Sequence, residues 1–185
     1  DAAYHIVRSS KFTKGNKLLI GFAKDGALPI EAAIYATNSA TNLRTVFSYE
    51  KFKSLKDLKP LLEPKFESNI FAFDEGSQNF QAARKNSKLA QVPVTIHKMA
   101  LDDLDVKFEK EQFDNIIFQL TTKDEDRLNE IYYQSKYLLK KGGTLLFSPR
   151  ESWDPSFPDY LTIEETSYLE RGDSKQKLIL LRRNS

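Results

Sequence analysis

The sequence contains no cysteine, which excludes disulfides, thiolate nucleophiles and any zinc site built on sulfur. Histidine is nearly as scarce: His5 and His97 are the only two, too few to support a histidine triad or a metal centre, and no metal is expected. An excess of one charge is also lacking. The 28 basic and 26 acidic residues leave a formal net charge of +2, far from the imbalance of a dedicated nucleic-acid arm. No apolar run approaches the roughly 20 residues that a membrane-spanning helix needs, and the N-terminus lacks the basic-then-apolar layout of a secretory signal. These absences point to a soluble, cytoplasmic protein without a membrane partner. The Gly-Lys-Ser/Thr ending of a phosphate loop is missing, and no carboxylate pair sits in a glycosidase or protease setting, so neither chemistry is expected. Methionine occurs once, at Met99, and the first residue is Asp1, which leaves room for a longer parent with an N-terminal domain.

Apolar material is plentiful. At 185 residues, with 40% hydrophobic and 12% aromatic side chains, the chain suffices for one domain with a sheet covered on both faces. Its periodicity alternates between β-like runs and helical stretches. Leu18 to Phe22 reads as a strand and Ala27 to Ala36 as a helix with Ile30, Ala33 and Ile34 on one face. Ile70 to Phe73 reads as the second strand. Ser77 to Leu89 follows as a helix with Ser77 as N-cap and Phe80, Ala83 and Ala90 facing inward. Val94 to Lys98 and Ile116 to Phe118 are the next strands. Asp124 to Lys140 is then predicted helical, stopped by Gly142-Gly143, and Thr144 to Ser148 gives a fifth strand. This order favours a parallel sheet with right-handed crossovers. Leu161 to Glu170 and Gln176 to Arg182 flank the turn Arg171-Gly172-Asp173-Ser174 and predict a closing hairpin. The expected fold is therefore α/β, a mostly parallel Rossmann-like sheet of the class I methyltransferase type ending in an antiparallel hairpin. One domain over 1–185 is expected, with 38–69 as an insertion, because that connection is longer than usual.

The run Gly21-Phe22-Ala23-Lys24-Asp25-Gly26-Ala27-Leu28-Pro29-Ile30-Glu31-Ala32-Ala33 resembles the cofactor loop of THUMP-associated RNA guanine-N2 methyltransferases, which read Asp-Pro-Phe-Cys-Gly-Ser-Gly-Thr-Leu-Pro-Ile-Glu-Ala-Ala. Phe47 with Tyr49-Glu50-Lys51-Phe52 is similar to the family's Phe-x-x-Glu-Lys-Trp insertion. Phe71-Ala72-Phe73-Asp74 with Ala82-Ala83-Arg84-Lys85-Asn86 is similar to the next block, so the resemblance covers about residues 18 to 148. It implies an S-adenosylmethionine site in which Phe22, Asp25 and Gly26 form the loop. Asp74, with Glu75 beside it, meets the ribose hydroxyls, and Asp102 stands near the adenine. Departures are evident: Ile20 stands at the family's aspartate, Ala23 at its cysteine and Lys24 at its first glycine. Lys24 is expected either to crowd the methionine moiety or to salt-bridge across it. A purely structural turn is the other reading of this loop, and a charge favouring the following helix dipole is the other reading of Asp74.

At the fourth strand the family's Asn/Asp-Pro-Pro-Tyr corresponds to Gln119-Leu120-Thr121-Thr122. Gln119 retains one acceptor for a target amine on a longer arm, while the prolines and the stacking ring are absent. Thr121 and Thr122 read either as part of this acceptor side or as caps of the helix that follows. In the insertion, Lys51, Lys53 and Lys56 alternate with Phe47, Tyr49 and Phe52, which suits phosphates and stacked bases; a solvated face of an amphipathic helix is the alternative. Two functions stay open at this point. One is an S-adenosylmethionine-dependent RNA methyltransferase domain, acting on a guanine amine of tRNA or rRNA; the other is a catalytically silent methyltransferase-like module that binds RNA or a protein partner.

Overall fold

Alternate residues of the central strands are buried on opposite faces of one sheet, as period-2 apolar runs require. Leu18, Ile20, Ile117, Leu146, Leu178 and Leu180 belong to one core, whereas Leu19, Ile116, Phe118, Leu145, Phe147, Ile179 and Leu181 belong to the other. A computed structural model describes residues 2–38, 52, 69–120, 123–149, 153–171 and 174–184. Its elements are α1 (Ala2–Ser9), β1 (Leu18–Gly21), α2 (Ala27–Thr37), β2 (Ile70–Asp74), α3 (Ser77–Ala90), β3 (Thr95–Lys98), a 3-10 turn (Leu101–Asp103), α4 (Leu104–Lys107), β4 (Phe113–Gln119), α5 (Glu125–Leu138), β5 (Leu139–Ser148), β6 (Leu161–Arg171) and β7 (Ser174–Arg183).

The strand order is β3-β2-β1-β4-β5-β7-β6. The first five strands of that row run parallel, β7 runs antiparallel to β5, and β6 pairs antiparallel with β7. This is the class I methyltransferase sheet predicted from the sequence, and the order reverses between β1 and β4. Residues of α1, α2 and α3 join one core; α4, α5 and the segment around Trp153 and Phe157 join the other.

Several boundaries differ from the periodicity reading, each for a local reason. The 3-10 turn, α1 and α4 are additions to it. Helix α5 ends at Leu138, not at the glycine pair, because the fully buried Leu139 turns to extended backbone and pairs with Phe113. Gly142 and Gly143 thus lie inside β5, where a Cβ on Gly143 would stand 2.8 Å from the Asp114 carbonyl oxygen beside the register shift of β4. The N-cap of α3 is Gly76, not Ser77, and Ala90 is exposed at the end of that helix instead of facing inward. In α2 the buried residues are Leu28, Pro29, Ala32, Ala33 and Thr37, while Ile30 and Ile34 are half-buried.

A polar knot fixes the start of the chain beneath the sheet. The Asn115 amide donates to the Ser10 carbonyl at 3.2 Å and to Thr144 Oγ1 at 2.7 Å, and accepts from Asn16 at 3.0 Å. Thr144 Oγ1 in turn donates to the same Ser10 carbonyl at 2.9 Å. Every partner is thereby satisfied in an apolar interior, as buried polar groups must be. On the outer edge, β6 carries a register shift between Ile163 and Glu165, and Glu164 is ion-paired with Lys11 and Arg182.

Candidate functional site at the strand tips

The reversal between β1 and β4 opens a crevice at the carboxyl ends of the strands, where α/β sheets of this kind place their ligands. Three elements meet there. The loop leaving β1 is strained: Phe22, Lys24 and Gly26 have φ of +58°, +51° and +87°. For residues other than glycine the left-handed conformation costs about 1–2 kcal/mol each, so the surroundings must hold it in place. They do so through β2. The Ala23 N–H donates to the Phe73 carbonyl at 2.9 Å and the Lys24 N–H donates to Asp74 Oδ2 at 2.9 Å.

Asp74 is 4% exposed at the end of β2. Its Oδ1 also accepts from the Gly76 N–H at 2.9 Å and the Asn79 amide at 3.2 Å. A carboxylate offers about four acceptor positions, so three internal donors leave one free. A further donor to Asp74 could therefore use that position, and a second would have to displace Asn79, the longest of the three contacts. The first-strand loop and this carboxylate are thus joined directly by the Lys24 N–H.

The other expected site residues fall into distinct places. The Lys24 side chain is exposed, and its backbone N–H is what reaches Asp74. Asp25 is exposed, takes the Ala27 N–H at 3.1 Å and receives the Asn86 amide on its carbonyl at 2.8 Å, so it anchors the start of α2. Gly26 packs on α3, where an added Cβ would lie 2.8 Å from Ala83 Cα. Asp102 is exposed in the 3-10 turn, and its carbonyl accepts from Gln134 of α5 at 3.3 Å. Gln119 is half-buried at the end of β4, paired in register with Ser148. Thr121 and Thr122, and with them Lys51, Lys53 and Lys56 and nearly all of the 38–69 insertion, lie outside the described residues. The described cap of α5 is Asp124, whose carboxylate accepts the Arg127 N–H at 3.0 Å.

Phe22 and Glu75 lead to a residue that periodicity does not reveal. The Phe22 ring rests on Phe73 and Phe118, with centroids 5.6 Å and 5.8 Å away, and space for Phe118 exists because Gly21 has no side chain. Arg127 of α5 covers the ring at 4.6 Å and forms an ion pair with Glu75, which accepts the Leu101 N–H at 3.1 Å with its other oxygen. The available signal is positional: a cation in the first turn of a helix opposes the helix dipole and calls for a specific partner. His97 on β3 packs edge-on against Phe108, and burial, followed by the nearby Lys107 charge, holds its pKa below the ordinary 6.5.

A cavity of about 340 Å³ lies at the opposite end of the strands, lined by Phe12, Asn16, Ala33, Asn69 and Pro93 among others. None of the residues at the strand tips lines it. Among the described residues no helix is long and apolar enough to cross a membrane, and no three His, Asp or Glu residues are grouped to hold a metal ion.

A sequence model of the family described as "RMKL-like, methyltransferase domain" matches residues 1–139. No curated protein matches the chain. Among solved structures, TrmN from Thermus thermophilus superposes with a TM-score of 0.69 at 15% identity, over 98% of this chain and 48% of that one. A protein assigned as a methyltransferase and complexed with SAH gives 0.69 at 17% identity, over 97% and 51%. An rRNA methylase from Streptococcus thermophilus gives 0.60 at 12% identity, over 100% and 96%. The chain spans about half the length of the first two.

Proposed function

Because the chain belongs to the RMKL-like methyltransferase-domain family, we propose that it is a methyltransferase domain that acts on RNA with S-adenosylmethionine as methyl donor. One observation carries this reading: the strained loop after β1 is hydrogen-bonded to the acid at the tip of β2, at the point where the strand order reverses. RNA as substrate is supported by the names of the structural neighbours TrmN and the rRNA methylase, and the cofactor by the neighbour complexed with SAH. When bound, S-adenosylmethionine supplies an electrophilic methyl group on its sulfonium.

The chain's own residues bind and orient. Asp74 accepts a ribose hydroxyl with its remaining lone pair, Phe22 offers an apolar face beneath it, and Gly26 with Asp25 fixes the loop. Asp102 stands on the adenine side. Gln119 orients the exocyclic amine of the target, taken as guanine N2, by accepting one N–H; Thr121 and Thr122 complete the acceptor side, and Lys51, Lys53 and Lys56 hold RNA phosphates. The whole chain acts as one domain, with 38–69 inserted in it. Calorimetric titration with S-adenosylmethionine, together with methyl transfer to tRNA and rRNA transcripts, tests the proposal. Absence of both heat and thermal shift at millimolar ligand defeats it.

A second reading is favoured by a specific contact, the Arg127–Glu75 pair lying across the same crevice. On that reading the domain is silent in catalysis and binds RNA or a protein partner. RNA affinity that is steeply salt-dependent, indifferent to cofactor and lost on neutralising Lys51, Lys53 and Lys56 supports it.

A further inference from the structure

Arg127 sits where its own helix disfavours it, at the N-terminus of α5, with Glu125 and Asp126 beside it in the first turn. Two contacts offset that cost. Its guanidinium covers the Phe22 ring at 4.6 Å, and it is ion-paired with Glu75 at the tip of β2. Glu75 is itself oriented by the Leu101 N–H after β3. The bridge therefore ties the segments that follow β1, β2 and β3 to the first turn of α5. Neither charged side chain belongs to the core: Arg127 is 33% and Glu75 36% exposed. Phe22 makes tilted contacts with Phe73 and Phe118, and the Arg127 guanidinium lies over the ring, where another planar group would stack.

We propose that the Arg127–Glu75 bridge is an autoinhibitory closure of the crevice, which opens before an adenosyl group lies between Phe22 and Asp74. This inference rests on the cofactor reading above. The bridge competes with the nucleoside for one ring face, so the observed dissociation constant is the intrinsic one divided by the fraction of open molecules. Anions and salt that loosen the ion pair raise that fraction.

The test is titration of the full chain and of Arg127→Ala and Glu75→Gln with S-adenosylhomocysteine, whose sulfur is uncharged, at low and high salt. Both substitutions are expected to tighten binding about tenfold, equivalent to about 1.4 kcal/mol, and to flatten its salt dependence. The pair of substitutions separates closure from a long-range charge effect, because they change the net charge in opposite directions. Tightening by Arg127→Ala with weakening by Glu75→Gln overturns the closure in favour of simple electrostatics. Equal, measurable affinities in all three proteins also overturn it and leave the cofactor reading standing. No binding by any of the three overturns both.

Discussion

Gly26→Ala is expected to destabilise the domain far more than Gly15→Ala, although both glycines have nearly the same backbone conformation, φ +87° and +90°. At Gly15 an added Cβ meets nothing within 4 Å, so only the left-handed strain is felt. That strain is about 1–2 kcal/mol, reduced by roughly 0.4–1 kcal/mol because alanine has less freedom to lose on folding. At Gly26 the same Cβ lies 2.8 Å from Ala83 Cα, a helical backbone atom that cannot turn aside like a side chain. Overpacking of this kind adds about 1–3 kcal/mol, for a total of about 1–5 kcal/mol centred near 3 kcal/mol. Urea unfolding at equal protein concentration measures both variants. In a domain of this size each kcal/mol corresponds to about 2–4 °C in Tm, so a fall of roughly 5–15 °C is expected for Gly26→Ala. The loop between β1 and α2 also carries the Lys24 N–H that orients Asp74, so cofactor affinity should fall with it. If the two variants agree within about 0.5 kcal/mol, α2 and α3 are not in the close contact described, and the argument for Gly26 fails.

Three further outcomes are expected. Asn115→Leu removes the donor to Thr144 Oγ1, the acceptor of the Asn16 amide and one of the two donors to the Ser10 carbonyl, which keeps Thr144 Oγ1, and should cost about 2–4 kcal/mol in urea unfolding; a loss below about 1 kcal/mol contradicts the polar knot. Lys24→Gly relieves a left-handed lysine whose side chain is exposed, and calorimetry should find stability unchanged or raised by up to about 1 kcal/mol. His97 has a folded-state pKa below 6.5. Below that pH the unfolded chain binds the extra proton first, so the histidine's contribution is fully present above 6.5 and is lost as pH falls through the folded pKa. Tm of the parent and of His97→Gln, scanned downward from pH 7.5, should show a larger acid-side decline in the parent; parallel curves refute this.

The strands were legible because alternation within a run and hairpin chemistry at its end are local signals. Ile116, Ile117 and Phe118 declare a two-faced strand by themselves, and Arg171 to Ser174 mark the return. The glycine pair misled because its role is set across the sheet, by the Asp114 carbonyl, and not by the helix before it. In the crevice, Asp74 could be found by its place after an apolar run. Arg127 could not, since its partner Glu75 lies 52 residues away and no motif joins them. Exposure was equally hidden: Lys24 contributes its backbone to the site and sends its side chain to solvent.

The outer margin of the sheet has a consequence for handling the protein. Strand β6 ends the row over eleven residues, long enough to template another chain through its unpaired backbone groups. The irregular step from Ile163 to Glu165, with Glu164 and Glu165 beside it, spoils that template at one end. Sequence changes that smooth this step or neutralise its two acids would turn the margin into an adhesive strip, and concentrated solutions would be the first to gel.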